Sequence, residues 1–144
     1  MTGFLIDTNV LSEYNRPGGP DAGVRRWLEV TDRRFQYVSV ITLAEIQKGI
    51  ELLAPGKRRT GLEHWLKQDL EAWFSSRVLP VDRRVGSRWA LLVASGQRVG
   101  SVLPAIDSLI AATALAYDLT IATRNVSDFS GIGRSTINPW SSSP

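Results

Sequence analysis

Short apolar runs alternate with longer stretches of helical periodicity, and this alternation constrains the fold of the chain more than any other feature. The runs lie at residues 3–6, 36–40, 78–81 and 119–123, with a fifth candidate at 136–138. Runs of this length and composition are typical of strands that are buried on both faces of a parallel sheet. Parallel strands need crossover connections, so the helices between them must cover the sheet. The sequence therefore predicts an α/β fold: a three-layer α/β/α sandwich around a mostly parallel sheet of four to five strands.

The spacing of apolar residues predicts the helices between these strands. Leu43, Ile46, Ile50 and Leu53 follow one another at intervals of a helical turn, which indicates one buried helix face. Helical spacing resumes after a Pro-Gly break and continues to Phe74, so these two segments are expected to form a helical arm. The remaining predicted helices cover residues 9–14, 21–29, 82–95 and 107–117.

Length and composition are those of one globular domain. The 144 residues suffice for a single hydrophobic core, and the apolar and charged fractions of 43% and 22% argue against disorder. We expect one domain at residues 1–140 and a disordered tail at 141–144. With no cysteine, and no apolar run near the roughly 20 residues of a membrane helix, a cytoplasmic protein without membrane contact is expected.

The formal net charge of +3 understates the basic character of the surface if several acids are gathered round a metal ion. Basic residues occur in pairs at residues 25–26, 33–34 and 83–84 and as a triplet at 57–59. Such clusters are compatible with a phosphate-rich partner, although solvated helix faces explain single pairs equally well. The charge pattern therefore favours nucleic acid without establishing it.

Four carboxylates stand where predicted strands give way to helices: Asp7, Glu45, Asp107 and Asp128. The carboxyl ends of parallel strands meet at one edge of a sheet, so acids that are far apart in sequence can converge there on one hard cation. The sequence thus predicts a metal site. Residues beside the acids that can orient a carboxylate or contact a phosphate are Thr8, Asn9, Thr123, Arg124 and Asn125.

Each acid also has a structural explanation. Asp7 and Asp107 could cap helices, because a carboxylate accepts hydrogen bonds from the first backbone N–H groups of a helix. Thr42 with Glu45 fits a capping box, and Asp128 lies in a Ser-Asp turn that could begin a short helical turn. Asp82 likewise follows a strand and precedes a helix, and we expect it to be a cap because two arginines follow it.

The acids lie in four sequence blocks at residues 5–11, 40–49, 104–114 and 121–129. In residues and in order these blocks resemble the PIN-domain family, and within it the VapC-type toxic ribonucleases of bacterial toxin–antitoxin pairs. The resemblance implies a metal-dependent endoribonuclease in which Asp7, Glu45 and Asp107 match three acidic positions of the family. Many relatives carry the fourth acid where this chain has Asn125, so either Asp128 supplies that carboxylate or Asn125 orients a water.

The resemblance also implies a cofactor and partners. We expect Mg²⁺ or Mn²⁺ held directly by Asp7 and Asp107, with Glu45 and Asp128 acting partly through water, and hydrolysis of an RNA phosphodiester by an activated water. A small VapB-like antitoxin would lay its C-terminal segment across the acidic crevice, and the toxin would be a homodimer. The sequence does not specify which RNA is cleaved.

Three competing functions have sequence features of their own. An aspartyl-phosphate enzyme would use Asp7 as a nucleophile, but such enzymes place a second Asp where this chain has Asn9. A metal-free ribonuclease would need a histidine base, and the single histidine, His64, is expected to be a surface or packing residue of the helical arm. A catalytically silent module that binds RNA or protein is the main alternative, although uncompensated acids would repel RNA.

Overall fold

Five parallel strands form the centre of the described structure, a computed structural model that covers residues 3–132 and 135–141. The strands are β1 (Phe4–Ile6), β2 (Gln36–Ser39), β3 (Val78–Leu79), β4 (Thr120–Ala122) and β5 (Thr136–Ile137). Their order in the sheet is β3-β2-β1-β4-β5, and every neighbouring pair is parallel. The predicted α/β fold is confirmed. The predicted tail at 141–144 lies outside the described residues, apart from the backbone of Ser141.

Seven α-helices connect and cover the strands in this part of the chain. They are α1 (Thr8–Ser12), α2 (Ala22–Val30), α3 (Val40–Glu51), α4 (Lys57–His64), α5 (Glu71–Phe74), α6 (Arg83–Arg98) and α7 (Ala105–Tyr117). A π-helical segment, Trp65–Leu70, joins α4 to α5, so helical backbone runs from Lys57 to Phe74. The predicted helical arm is therefore present. None of the helices in the described ranges is long and apolar enough to cross a membrane.

Two helix starts differ from the sequence prediction. Helix α3 begins at Val40, because the hydroxyl of Ser39 accepts the hydrogen bond from the N–H of Ile41 at 3.0 Å and caps the helix one turn earlier than expected. The capping box of Thr42 with Glu45 is therefore wrong: Thr42 is fully buried within the first turn. Helix α7 follows Pro104, whose fixed φ favours a helix start there, so Asp107 lies in the first turn and does not cap it.

Two apolar clusters cover the opposite faces of the sheet. Successive residues of β1 point to opposite faces, and accordingly Leu5 packs against α7 while Ile6 packs against the side of α2, α3 and the helical arm. On the α7 face Ala111 and Ala114 are fully buried, and their small side chains allow α7 to pack closely against the sheet. With both faces covered, function is confined to the edges of the sheet.

Strand order identifies the edge that matters. From β1 the chain proceeds to β2 and β3 on one side and later returns to β4 and β5 on the other, so the crossovers diverge between β1 and β4. In open α/β sheets the crevice outside the carboxyl ends of strands at such a switch point is the usual ligand site. The register pairs Ile6 with Ala122, so Asp7 and Thr123 leave neighbouring strands side by side.

Candidate active site at the carboxyl edge of the sheet

Asp7 is the first residue after β1 and is held at several points. Its N–H donates to the carbonyl of Ala122 at 2.9 Å, which continues the β1–β4 pairing. Its Oδ1 accepts the N–H of Thr8 at 2.9 Å, and its Oδ2 accepts the hydroxyl of Thr123 at 2.8 Å. Asp7 therefore caps α1 and also presents a fixed carboxylate at the switch point, so the two interpretations of this residue are compatible.

Asn9 ties the turn after β1 to the turn after β4. Its Nδ2 donates to Thr123 Oγ1 at 3.2 Å and, at the longer distance of 3.4 Å, to Asp7 Oδ2. Its Oδ1 accepts the N–H of Arg124 at 3.1 Å. Thr123 also accepts the N–H of Asn125 at 3.1 Å, so the single hydroxyl hydrogen of Thr123 is left for Asp7. The network fixes the orientation of the buried carboxylate.

Glu45 reaches the same place from α3. Because α3 starts at Val40, Glu45 lies in its second turn, where it faces α1, and its Oε1 accepts the hydroxyl of Thr8 at 2.7 Å. Thr8 thus links the first two acids, through its N–H to Asp7 and through its hydroxyl to Glu45.

Asp107 completes the group from α7. Burial raises the pKa of Asp107 above its ordinary value, and the charges of Asp128 and Glu45 raise it further. Asp128 is exposed in a 3-10 turn at Val126–Phe129, close enough for its charge to act on Asp107. The side chain of Asn125 is exposed, and Asn125 enters the network through its backbone N–H.

The electrostatics of Asp7 show that these acids repel one another. Burial is the largest cause that raises the pKa of Asp7, and hydrogen bonds from Thr123 and Thr8 oppose it. The negative charges of Glu45 and Asp107 raise that pKa as well. No arginine or lysine forms an ion pair with these acids in the described ranges. A site of oxygen ligands with uncompensated negative charge is suited to a hard divalent cation.

The spacing of the acids limits how such an ion could be held. Within residues 3–132 and 135–141 no three acidic side chains are gathered tightly enough to enclose an ion by themselves. Mg²⁺ commonly takes one or two carboxylates and keeps several waters, and the donor set found here fits that mode of binding.

Asp82 and His64 lie outside this group. Asp82 caps α6, as predicted, by accepting the N–H of Val85 at 3.0 Å. A hydrogen bond from the hydroxyl of Tyr117 is the main cause that lowers the pKa of Asp82. Tyr117 ends α7, about 15 Å along the helix from Asp107 at a rise of about 1.5 Å per residue. His64 is exposed at the end of α4, as expected.

Sequence reasoning missed an open groove beside the acids. It has a volume of about 380 Å³, and Thr8, Glu45, Arg16 and Arg58 contribute to its lining. The basic triplet at 57–59 was the available signal, but only the packing of α4 against α3 shows which of its members reaches the groove. A second missed contact places the guanidinium of Arg124 over the ring of Trp140, at 5.2 Å.

Comparison with known proteins gives matches over nearly the whole chain. The chain is 37% identical over 137 residues to the VapC ribonuclease Y4jK of Sinorhizobium fredii, covering 95% of this chain and 97% of that protein. It is 38% identical over 137 residues to Toxin FitB of Neisseria gonorrhoeae, covering 95% of this chain and 98% of FitB.

A solved structure and a family profile agree with these relatives. The structure of FitAB bound to an IR36 DNA fragment superposes with a TM-score of 0.88 at 36% identity, covering 95% of each chain. The profile of the PIN domain matches residues 4–134, a range that contains all four carboxylates. The resemblance inferred from the four sequence blocks is confirmed, and the chain belongs to the PIN-domain family.

Proposed function

We propose that this chain is a metal-dependent endoribonuclease and the toxin of a toxin–antitoxin pair, with residues 1–140 as a single nuclease domain. The observation that carries the proposal is the set of mutually repelling carboxylates Asp7, Glu45 and Asp107 at the switch point of the sheet. Relatives named VapC ribonuclease and Toxin FitB support the same activity.

In this proposal Asp7 and Asp107 would hold Mg²⁺ or Mn²⁺ directly, and Glu45 and Asp128 would act partly through water. When bound, such an ion would supply Lewis acidity toward a phosphate oxygen and an attacking water, together with positive charge for the transition state. We assign the fourth position to Asp128, because its charge acts on Asp107.

The hydrogen bonds assign separate tasks to the other residues. Thr123 and the N–H of Thr8 restrain both oxygens of Asp7, so its position is set before any ligand arrives. Glu45 has one oxygen engaged by Thr8, while Oε2 has no hydrogen bond in the described part of the chain and can accept a proton from a water. Arg124 extends from the same turn, where its guanidinium is available to RNA phosphates. Hydrolysis by water on this path leaves 5′-phosphate and 3′-hydroxyl ends.

The proposed partners follow from the activity. A cell that makes a ribonuclease active on its own RNA needs an inhibitor, so a VapB-like antitoxin is proposed, with a toxin homodimer, in the cytoplasm where the RNA substrate is found. The solved FitAB structure, which contains DNA, supports a toxin that acts within a protein complex.

The test is cleavage of a panel of transfer and structured RNAs with Mg²⁺, Mn²⁺ or EDTA. Asp7→Asn and Asp107→Asn should abolish metal-dependent cleavage, whereas Asp82→Asn is a matched control, because Asn caps helices about as well as Asp. Binding of Mn²⁺, measured by electron paramagnetic resonance, should weaken in the first two variants and not in the control. RNA that is bound but left uncut by wild-type protein would instead support the catalytically silent binding module.

A further inference from the structure

The groove beside the acids is a continuation of the candidate active site. Thr8 and Glu45 line both the groove and the acidic site, and Arg16 and Arg58 belong to the lining as well. Along α3 the lining extends from Glu45 to Ile50, about 8 Å at a rise of about 1.5 Å per residue, and it continues to Leu53 just beyond the helix. Between the acidic end and the arginines, the wall of the groove is mainly apolar and includes Ile46, Ile50, Leu62 and Trp65.

Gly49 keeps the middle of this wall clear. It is an interior residue of α3 and lines the groove, and a Cβ added to it would meet no heavy atom within 4 Å. Glycine inside a helix costs roughly 0.5–1 kcal/mol relative to alanine. Packing within the described chain does not require a glycine here, and the same is true of Gly61, but at Gly49 the open space lies in the groove and leaves room for a ligand to approach the helix.

The far end of the groove is positively charged. Arg58 lies in the first turn of α4, next to Arg59, which donates to the carbonyl of Leu53 at 3.1 Å. Arg58 is exposed and has no hydrogen bond or ion pair in the described ranges. Arg16 is restrained by buried Glu13, at 2.8 Å, yet its side chain remains 55% exposed. A carboxylate end, an apolar middle and a cationic end thus follow one another.

We propose that this groove binds the RNA nucleotide next to the cleaved phosphate, with its base against the wall at Gly49 and Trp65 and its next phosphate held by Arg58. The proposal rests on the proposed function, which puts the cleaved phosphate at the carboxylate end. Along an RNA strand a ribose lies between successive phosphates and carries the base as a branch, so a base on the apolar wall leaves its two flanking phosphates for the acidic and basic ends of the groove. An RNA phosphate opposite Arg58 would pair with the cation that is unpaired there, whereas an apolar side chain of a bound peptide would leave that cation unpaired.

The first test fills the groove. Gly49→Leu places a side chain in the open space, and Gly61→Leu is the matched control, because Gly61 is an exposed helical glycine of α4 that does not line the groove. We expect Gly49→Leu to lower kcat/KM for RNA about tenfold, mainly through KM, as expected when contact with one base is lost. Gly61→Leu should leave kcat/KM unchanged, and thermal unfolding will show that both variants fold.

The second test removes the cation. Arg58→Ala should reduce the dependence of log Kd on log salt by about 0.7, the contribution of one phosphate contact to a single strand. Lys67→Ala removes an exposed charge of the π-helical segment outside the groove and should leave the slope unchanged. Binding is measured in the Asp7→Asn background, so that the RNA remains uncut.

The outcomes separate this proposal from the proposed function. Wild-type protein that cuts no RNA, while binding still depends on Gly49 and Arg58, would refute the nuclease and leave the groove assignment standing. Unchanged cleavage and binding in Gly49→Leu and Arg58→Ala would overturn the groove assignment alone. Normal handling of RNA by these variants, with weakened binding of the protein encoded beside the toxin, would assign the groove to the antitoxin and also overturn the proposal.

Discussion

Replacing Thr123 by valine should be far more damaging than its small change in shape suggests. Thr123 is fully buried, and its hydroxyl donates to Asp7 while accepting from Asn9 and from the N–H of Asn125. Valine has nearly the same volume but removes all three hydrogen bonds. A bond to a charged group contributes roughly 1.5–3 kcal/mol and each neutral bond roughly 0.5–1.5 kcal/mol, so we expect a loss of about 3–4 kcal/mol in the free energy of unfolding at neutral pH.

The pH dependence of that loss identifies its cause. The pKa of Asp7 is raised in the folded protein above 3.8, so ionisation of Asp7 lowers stability as pH rises through the folded pKa. The bond from Thr123 lowers that pKa, and its removal must therefore raise the pKa further and deepen the penalty at neutral pH. Well below the ordinary pKa of an aspartate, about 3.9, Asp7 is protonated in both the folded and the unfolded state, so the difference between wild type and Thr123→Val should shrink to the loss of neutral hydrogen bonds.

Urea unfolding in EDTA, followed by tryptophan fluorescence at several pH values, measures the free energy of unfolding and its dependence on pH. Thr123→Ser is the control, because it keeps the hydroxyl and loses one methyl group, a cost of about 1 kcal/mol without the same pH dependence. If Thr123→Val lost the same free energy at acidic and at neutral pH, the hydroxyl would not be stabilising the Asp7 carboxylate, and the proposed network would be wrong.

Three further predictions concern the metal, the core and a helix cap. In EDTA at neutral pH, Asp107→Asn should unfold at a higher temperature than wild type, because the substitution removes a carboxylate whose pKa is raised by neighbouring negative charges. Added Mg²⁺ should raise the unfolding temperature of wild type more than that of the variant. Scanning calorimetry measures both temperatures, and a variant less stable in EDTA or more stabilised by Mg²⁺ would contradict this prediction. Trp73→Phe should lower the free energy of unfolding, measured in urea, by roughly 2–3 kcal/mol, because Oε1 of buried Gln36 loses the hydrogen bond that it accepts from Trp73 at 2.8 Å. A loss under about 1 kcal/mol would show that this hydrogen bond contributes little to stability. Asp82→Ala should cost about 1 kcal/mol through loss of its cap yet leave RNA cleavage unchanged, and reduced cleavage by folded protein would place Asp82 in the active site.

The parts of the fold that local pattern determines could be predicted from the sequence. Each apolar run became a strand, and the acids that follow them lie at the same edge of the sheet, because a parallel sheet brings its carboxyl ends together. The start of α3 was missed because two hydroxyl residues, Ser39 and Thr42, compete for the same capping role, and periodicity does not distinguish them. In the structure Ser39 caps α3, and Glu45 therefore lies in the second turn of the helix.

The features of the site that could not be predicted from the sequence depend on long-range contacts. The bonds from Asn9 to Thr123 and Arg124 join residues more than a hundred positions apart, so no local pattern reveals them. The groove likewise needs three separate helices, and its clearest local sign, Gly49, is an ordinary residue until the space around it is known. The proximity of the Asp128 charge to Asp107 likewise depends on side-chain placement that the sequence does not show.

The hydrogen bonds of Asn9 join residues that are synthesised at different times. The ribosome synthesises Asp7, Thr8 and Glu45 early, but Thr123 and Arg124 only after most of the chain. A nascent chain therefore carries the first acids without the hydroxyl and amide that restrain them, and β1 lacks its β4 neighbour. The hydrogen-bonded network around Asp7 can therefore be completed only after Thr123 and Arg124 have been synthesised.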